Sequence, residues 1–74
     1  MAPLDRVRKN KCCEICKIEG NSRLFHRLFS LGVCIGNRAE VVQNLRPFPI
    51  LLRIEDSLVA LGRKLAKEII VEEK

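Results

Sequence analysis

The sequence predicts a small, mostly β fold: a partly open barrel that carries one amphipathic helix. Its 74 residues leave room for a single hydrophobic core. In the middle of the chain, apolar and polar residues alternate with the period of two that is typical of strands. One stretch after residue 21 instead spaces its leucines at helical intervals. A chain of this length has few layers with which to cover sheet edges, and a barrel hides them.

The first half of the chain predicts a strand followed by a helix. Residues 1–9 form a short lead-in segment, and residues 12–18 are small and β-branched, as in a strand. Glu19-Gly20-Asn21 predicts a turn, after which Asn21 or Ser22 can cap a helix. Leucines follow at i, i+4 and i+7, at Leu24, Leu28 and Leu31, with Phe25 and Phe29 beside them. The opposite side is polar (Arg23, His26, Arg27 and Ser30), and Gly32 is placed to end the helix.

The second half predicts a hairpin with a wide tip. Gly36-Asn37 opens a strand in which Ala39, Val41 and Leu45 share one face. Pro47-Phe48-Pro49 interrupts it, because proline supplies no backbone donor. A second strand returns through Ile50, Leu52 and Ile54. We expect Val41, Leu52 and Ile54 to lie inside the barrel.

The last residues predict a helical turn and a closing strand. Asp56 and Ser57 begin the turn, which covers Leu58–Leu61 and continues loosely through residue 67. Ile69-Ile70-Val71 then forms a short strand. The sequence thus predicts four strands, one well-defined helix and one domain over residues 1–74.

Charge and composition limit the classes of partner. The net charge of +5 belongs entirely to residues 1–38, and its densest cluster is Arg6, Arg8, Lys9 and Lys11. Such a cluster is either a solvated edge or a contact for an anionic partner. Three Phe, no Tyr and no Trp leave few rings for base stacking, which argues against nucleic acid.

No apolar run approaches the roughly 20 residues of a membrane-spanning helix, and the N-terminus is polar within five residues. We therefore expect a cytoplasmic protein without membrane insertion.

Four cysteines raise the question of a metal site. Cys12, Cys13, Cys16 and Cys34 contain one C-x-x-C pair, and the chain's single histidine is His26. Structural zinc usually takes two such pairs, or one pair and two histidines. In a strand, Cys13 and Cys16 point to opposite faces unless a bulge intervenes, and the parity of Ile15 and Ile18 leaves a bulge open. Buried, reduced thiols are favoured over a metal site at Cys13 and Cys16 and over a redox role. No cofactor is expected.

Catalysis has no evident residues in this sequence. His26 lies on the polar side of the predicted helix, without a second titratable group to work with. The four glycines are scattered and are explained by turns and caps, so no phosphate-binding loop is present. We predict that the chain is not an enzyme.

Four residues are candidates for partner binding. Arg23 and Arg27 present neighbouring guanidinium groups four positions apart on the helix, and Arg38 could lie near them. A solvated helix face is the competing interpretation of these arginines. Phe48 lies between two prolines at the hairpin tip, where it could anchor a partner or pack on the end of the barrel.

The order of motifs resembles the FeoA family of ferrous iron transport proteins. The resemblance rests on Arg27-Leu28-x-x-Leu31-Gly32-x-x-x-Gly36, Ala39-x-Val41, Pro49-Ile50-x-Leu52-x-Ile54, Ala60-Leu61 and Ala66-x-x-Ile69-x-Val71. It extends from about residue 10 to residue 72. It implies an SH3-like β-barrel with a helix between the first two strands. The cysteine-rich first strand and the tip Leu45-Arg46-Pro47-Phe48 depart from the family pattern.

The resemblance also implies a function. Family members are thought to assist a large membrane transporter of ferrous iron that has a cytoplasmic GTP-binding domain. The family has no agreed catalytic or metal-binding residues, so none is transferred to this chain. Two alternatives stay open. One is a basic small barrel that binds RNA or ribosomal partners. The other is a domain of the kind appended to iron-dependent transcriptional repressors.

Overall fold

The protein folds as a six-stranded antiparallel sheet with two helices. The computed structural model describes all 74 residues. In chain order the elements are β1 (Ala2–Pro3), a 3₁₀ turn (Leu4–Arg6), β2 (Cys12–Ile18), α1 (Ser22–Ser30), β3 (Arg38–Gln43), β4 (Ile50–Ile54), β5 (Ser57–Leu61), α2 (Arg63–Ala66) and β6 (Ile69–Glu73). The strand order across the sheet is β1-β6-β2-β3-β4-β5. The fold is the predicted SH3-like one, in which the sheet curls around a core without closing.

Sixteen buried apolar side chains form the core, and every strand from β2 to β6 contributes to it. Val41, Leu52 and Ile54 are all buried, as the alternation predicts. The core is aliphatic and contains no phenylalanine. All three phenylalanines of the chain therefore remain on the surface.

Strand β5 replaces the helical turn that we expected over Leu58–Leu61, and that prediction is wrong. Glu55 has a left-handed backbone (φ 56°), which lets Glu55-Asp56 close a two-residue turn between β4 and β5. Val59 and Leu61 then face the core while Leu58 faces solvent, a period of two. The helical turn comes later, at α2. The short run Leu58-Val59-Ala60-Leu61 did not by itself distinguish the two patterns.

Two further differences concern strand number and strand length. The chain forms six strands instead of four, because β5 and the two-residue β1 were not predicted. Strand β3 ends at Gln43, so Leu45 lies outside the sheet and is exposed. Pairing between β3 and β4 shifts after Val41, and this irregularity accompanies the early end of the β3 ladder.

Candidate partner-binding surface

Helix α1 begins at a well-formed N-cap. The side-chain oxygen of Asn21 accepts a hydrogen bond from the backbone N–H of Leu24 at 2.9 Å. Gly20, just before the cap, has a φ of +111°, and a Cβ there would lie 2.8 Å from Cδ2 of Leu24. The backbone conformation therefore favours glycine, and a Cβ would in addition have to displace the terminal methyl group of Leu24.

The C-terminus of α1 ends in a Schellman motif. The backbone N–H of Val33 donates to the carbonyl oxygen of Leu28 at 2.9 Å, and that of Gly32 donates to Phe29 at 3.0 Å. The side chains of Leu28 and Val33 are both fully buried. Asn37 adds a side-chain hydrogen bond to the carbonyl oxygen of Gly32 at 2.9 Å. The two capped ends therefore fix which side of α1 faces the core.

That orientation leaves an aromatic ridge in solvent, which we define as Phe25 and Phe29. These residues are four apart, so their side chains are neighbours on the helix. Phe29 is 63% exposed and Phe25 is 38% exposed, with the ring of His26 edge-on to Phe25 at 6.4 Å between centroids. Leu31 and Ile35, just beyond the helix, are also exposed.

Sequence reasoning placed Phe25 and Phe29 beside the buried face and so missed this ridge. A signal was present in the helical spacing. The five apolar residues from Leu24 to Leu31 span an arc of about 160° at 100° per residue, wider than the stripe that one packed face needs. A nine-residue helix on a small sheet buries only Leu28 fully and Leu24 in part. The other residues of the arc, Phe25, Phe29 and Leu31, stay exposed to solvent.

Arg23 and Arg27 flank the buried stripe of α1 on the side opposite the aromatic ridge. Both are exposed, and neither takes part in an ion pair. Helical spacing places His26 and Ser30 between them and the phenylalanines. The outward face of α1 therefore offers two rings along one edge and two unpaired guanidinium groups along the other.

Arg38 belongs to a different surface, on the outer side of the sheet. It lies opposite Glu14 of β2. Together with Cys12, Glu40, Arg53 and Glu55 it lines an open groove in which Arg53 donates to Glu40 at 3.2 Å. None of the residues that line this groove belongs to α1. The positive charge of Arg38 therefore shares this groove with the acidic side chains of Glu40 and Glu55.

The hairpin tip between β3 and β4 is held at its base by Asn44. The side-chain amide of Asn44 donates to the carbonyl oxygens of Val7 (2.7 Å) and Asp5 (3.0 Å), tying the tip to the N-terminal segment. Phe48 is 55% exposed beyond this anchor, so it does not pack into the core. Of the two placements considered for Phe48, the structure gives the exposed one.

The cysteines are free thiols in different environments. Pairing of β2 with β6 shifts between Ile15 and Lys17, so a bulge is present at Cys16. Cys13 is fully buried whereas Cys16 and Cys34 are half-buried. Burial, followed by the nearby charges of Cys12, Glu73 and Cys16, raises the pKa of the Cys13 thiol from 9.0 to about 11. A neutral thiol is a poor nucleophile and a poor metal ligand. No group of three or more His, Cys, Asp or Glu side chains is arranged to hold a metal ion.

Neither helix has the length and apolar character that a membrane crossing would require.

Known proteins share both the sequence pattern and the fold. The chain is 32% identical over 73 residues to a protein of Methanocaldococcus jannaschii named as an Fe(2+) transport protein A, covering 99% of this chain and 88% of that protein. A crystal structure described as an iron uptake regulatory protein (FeoA) superposes with a TM-score of 0.93 at 22% identity, covering 99% and 97% of the two chains. A manganese-dependent transcriptional repressor superposes with a TM-score of 0.87 at 20% identity, and there the match spans 41% of the other chain.

At such identities the two structures establish the fold alone. The family model described as the FeoA domain goes further, because it matches residues 2–73. This match covers all six strands and both helices. The chain belongs to the FeoA domain family.

Proposed function

We propose that this chain is a cytoplasmic accessory protein of ferrous iron uptake, and that it acts by docking on a membrane transporter with a GTP-binding domain. Membership of the FeoA family implies involvement in ferrous iron transport. The name of the archaeal relative supports the same process. In this proposal the chain works through binding, and transport and nucleotide chemistry belong to the partner.

The observation that carries the docking proposal is the exposed aromatic ridge on a helix with fixed ends. Phe25 and Phe29 project from α1, whose caps hold the backbone before any partner arrives. Aromatic and arginine side chains are the types that most often anchor protein interfaces. Because the helix is already ordered, binding costs little additional conformational entropy. We propose the ridge as the anchor, with Arg23 and Arg27 steering the approach through their charge.

Phe48 is a second contact surface in this proposal. It is exposed to a degree similar to Phe29, and the hydrogen bonds of Asn44 hold the base of its loop. Arg38 contributes less, since it lies opposite Glu14 and shares a groove with Glu40 and Glu55. The proposal thus rests first on the face of α1 with the ridge, Arg23 and Arg27, and second on the hairpin tip with Phe48.

The experiment is growth on ferrous iron of a strain that depends on this uptake system. The gene is deleted and then restored as wild type, as Phe25→Ser with Phe29→Ser, or as Phe48→Ser. Phe48→Ser removes a ring of similar exposure from the second proposed surface, so comparing it with the ridge variant separates the contributions of the two surfaces. We expect the ridge variant to support growth no better than the deletion. Full growth of the deletion strain would contradict a role in uptake, and full growth of the folded ridge variant would contradict docking through α1.

The charged edge of α1 is tested in the same strain. Arg23→Glu with Arg27→Glu is compared with Arg6→Glu and Arg8→Glu, which changes the net charge equally on the N-terminal cluster. We expect the helix pair alone to slow uptake. Equal effects from both pairs would indicate a general requirement for basic charge, as in the alternative of RNA binding. Binding of the wild type to RNA that falls steeply with added salt would favour that alternative.

A further inference from the structure

Strand β5 is an edge strand whose outer side has no partner. Its pairing is with β4 alone, at one end of the strand order. No backbone hydrogen bond outside the sheet and no side-chain hydrogen bond involves residues 57–61. The pair Ile54–Ser57 closes the two-residue turn, so alternation directs the backbone groups of Ser57, Val59 and Leu61 toward β4. The N–H and C=O groups of Leu58 and Ala60 point away from the sheet.

This edge lacks the features that normally block strand addition. Natural edge strands carry charges, prolines, bulges or covering elements, or they are very short. Strand β5 has five residues, Ser-Leu-Val-Ala-Leu, with no charge and no proline, and Leu58 is 60% exposed. The opposite edge, β1, has two residues and includes Pro3. Of the two edges of the sheet, β5 alone presents an extended surface open to pairing.

The charges on either side of β5 indicate what pairs with it. The exposed carboxylates of Glu55 and Asp56 precede the strand, and the exposed ammonium group of Lys64 follows it. When two copies of such a segment run antiparallel, the acidic end of each lies beside the basic end of the other. We propose that β5 pairs with β5 of a second copy of this chain, around a two-fold axis, to form a homodimer with one continuous sheet.

The backbone groups fix a consistent register for this dimer. With the axis at Val59, Leu58 faces Ala60 of the partner subunit, and Ala60 faces Leu58 of the partner subunit. These are the residues whose N–H and C=O groups point outward, so the two pairs form four backbone hydrogen bonds. Their side chains lie on the outer face, where Leu58 gains an apolar neighbour. The contact is smaller than a standard interface of about 1,600 Å², so a concentration-dependent equilibrium is expected.

Sedimentation velocity of the full chain between about 10 μM and 1 mM tests this dimer, a range that brackets weak association. The informative variant is Ala60→Pro, because the lost N–H points away from β4 and the ladder within the chain stays intact. Ala60→Ser keeps the N–H and is the matched control. We expect wild type and Ala60→Ser to dimerise as concentration rises and Ala60→Pro to stay monomeric with unchanged circular dichroism. A monomeric wild type throughout, or a dimer that Ala60→Pro leaves intact, overturns the proposal.

A charge exchange tests the antiparallel arrangement separately. Asp56→Lys and Lys64→Glu each place like charges together at both ends of the paired strands, and both residues are exposed. We expect each single variant to raise the dissociation constant several-fold at low salt, and the double variant to return it toward the wild-type value. If the effects of the two substitutions on the dimer's dissociation constant simply add up in free energy, so that the double variant dimerises more weakly than either single variant, antiparallel pairing of β5 is overturned. Slower amide exchange of Leu58 and Ala60 at high protein concentration supports it, and unchanged exchange in a dimeric sample overturns it.

Discussion

The carbonyl oxygen of Leu28 accepts a hydrogen bond from the backbone N–H of Val33 at 2.9 Å, and both side chains are buried in the core. This hydrogen bond ends α1, and the burial of both side chains sets which side of the helix faces the core. With Leu28 turned inward, Phe25 and Phe29 are left in solvent. The candidate docking surface is thus a consequence of how the helix is anchored.

Replacing a buried and an exposed apolar residue of α1 should have very unequal effects on the free energy of unfolding. Leu28→Ala removes a fully buried side chain, and we expect the free energy of unfolding to fall by about 2 to 5 kcal/mol. Phe29→Ala removes an exposed ring and should change it by less than about 0.5 kcal/mol. Urea denaturation followed by circular dichroism measures both. A large loss for Phe29→Ala would mean that the ring packs against the protein.

Gly20 should not tolerate a side chain, whereas Gly62 should. Gly20→Ala combines a φ of +111° with a contact of 2.8 Å to Leu24, and we expect a loss of about 1 to 3 kcal/mol in unfolding free energy. At Gly62 the backbone is ordinary (φ −62°) and no atom lies within 4 Å of the added Cβ. Gly62→Ala is the matched control and should be nearly neutral. Equal effects at both glycines would contradict the described entry into α1.

Alkaline pH should destabilise the fold through Cys13. Burial raises the folded-state pKa of this thiol from 9.0 to about 11, which favours the neutral form. Its contribution to stability is therefore fully present below pH 9 and is lost as the pH rises from 9 to 11. Relative to Cys13→Ala, the wild type should lose roughly 2 to 3 kcal/mol across that range. Denaturant unfolding at a series of pH values measures the difference. If the free energy of unfolding depends on pH in the same way for the two proteins, the pKa of the Cys13 thiol is not raised in the folded state.

Metal binding through the C-x-x-C pair is expected to be absent at neutral pH. Cys13 is buried, which makes its thiolate costly to form, and no group of three or more His, Cys, Asp or Glu side chains is arranged around the pair to complete a site. Protein purified under reducing conditions should contain far less than one zinc or iron per chain by elemental analysis. Cys16→Ser should leave that content unchanged. A content near one per chain that Cys16→Ser abolishes would contradict this expectation.

Much of the fold follows from local patterns in the sequence. The spacing of Leu24 and Leu28, the cap at Asn21 and the stop at Gly32 predict α1 within one or two residues. Period-two alternation predicts β3 and β4, because side chains of a strand alternate between core and solvent. The β5 prediction failed because four apolar residues carry too short a pattern, and the turn that decides it depends on the left-handed backbone of Glu55.

The candidate site was less predictable. Arg23, Arg27 and Phe48 are exposed, as partner binding requires, and whether they bind remains a prediction. The exposure of Phe25 and Phe29 depends on how wide a surface the sheet offers to α1, which is a tertiary property. The free edge of β5 likewise depends on the whole strand order, since no local signal shows which strand has a neighbour.

The most direct test is binding of the purified chain to the membrane transporter with its GTP-binding domain, reconstituted in a lipid nanodisc. Calorimetry compares wild type with Phe25→Ser plus Phe29→Ser, and with Phe48→Ser, which removes the ring of the second proposed surface. We predict that the wild type binds and that loss of the ridge weakens binding at least tenfold, because two anchoring rings leave the interface. Absence of binding by the wild type, or equal affinity for the folded ridge variant, would contradict the account.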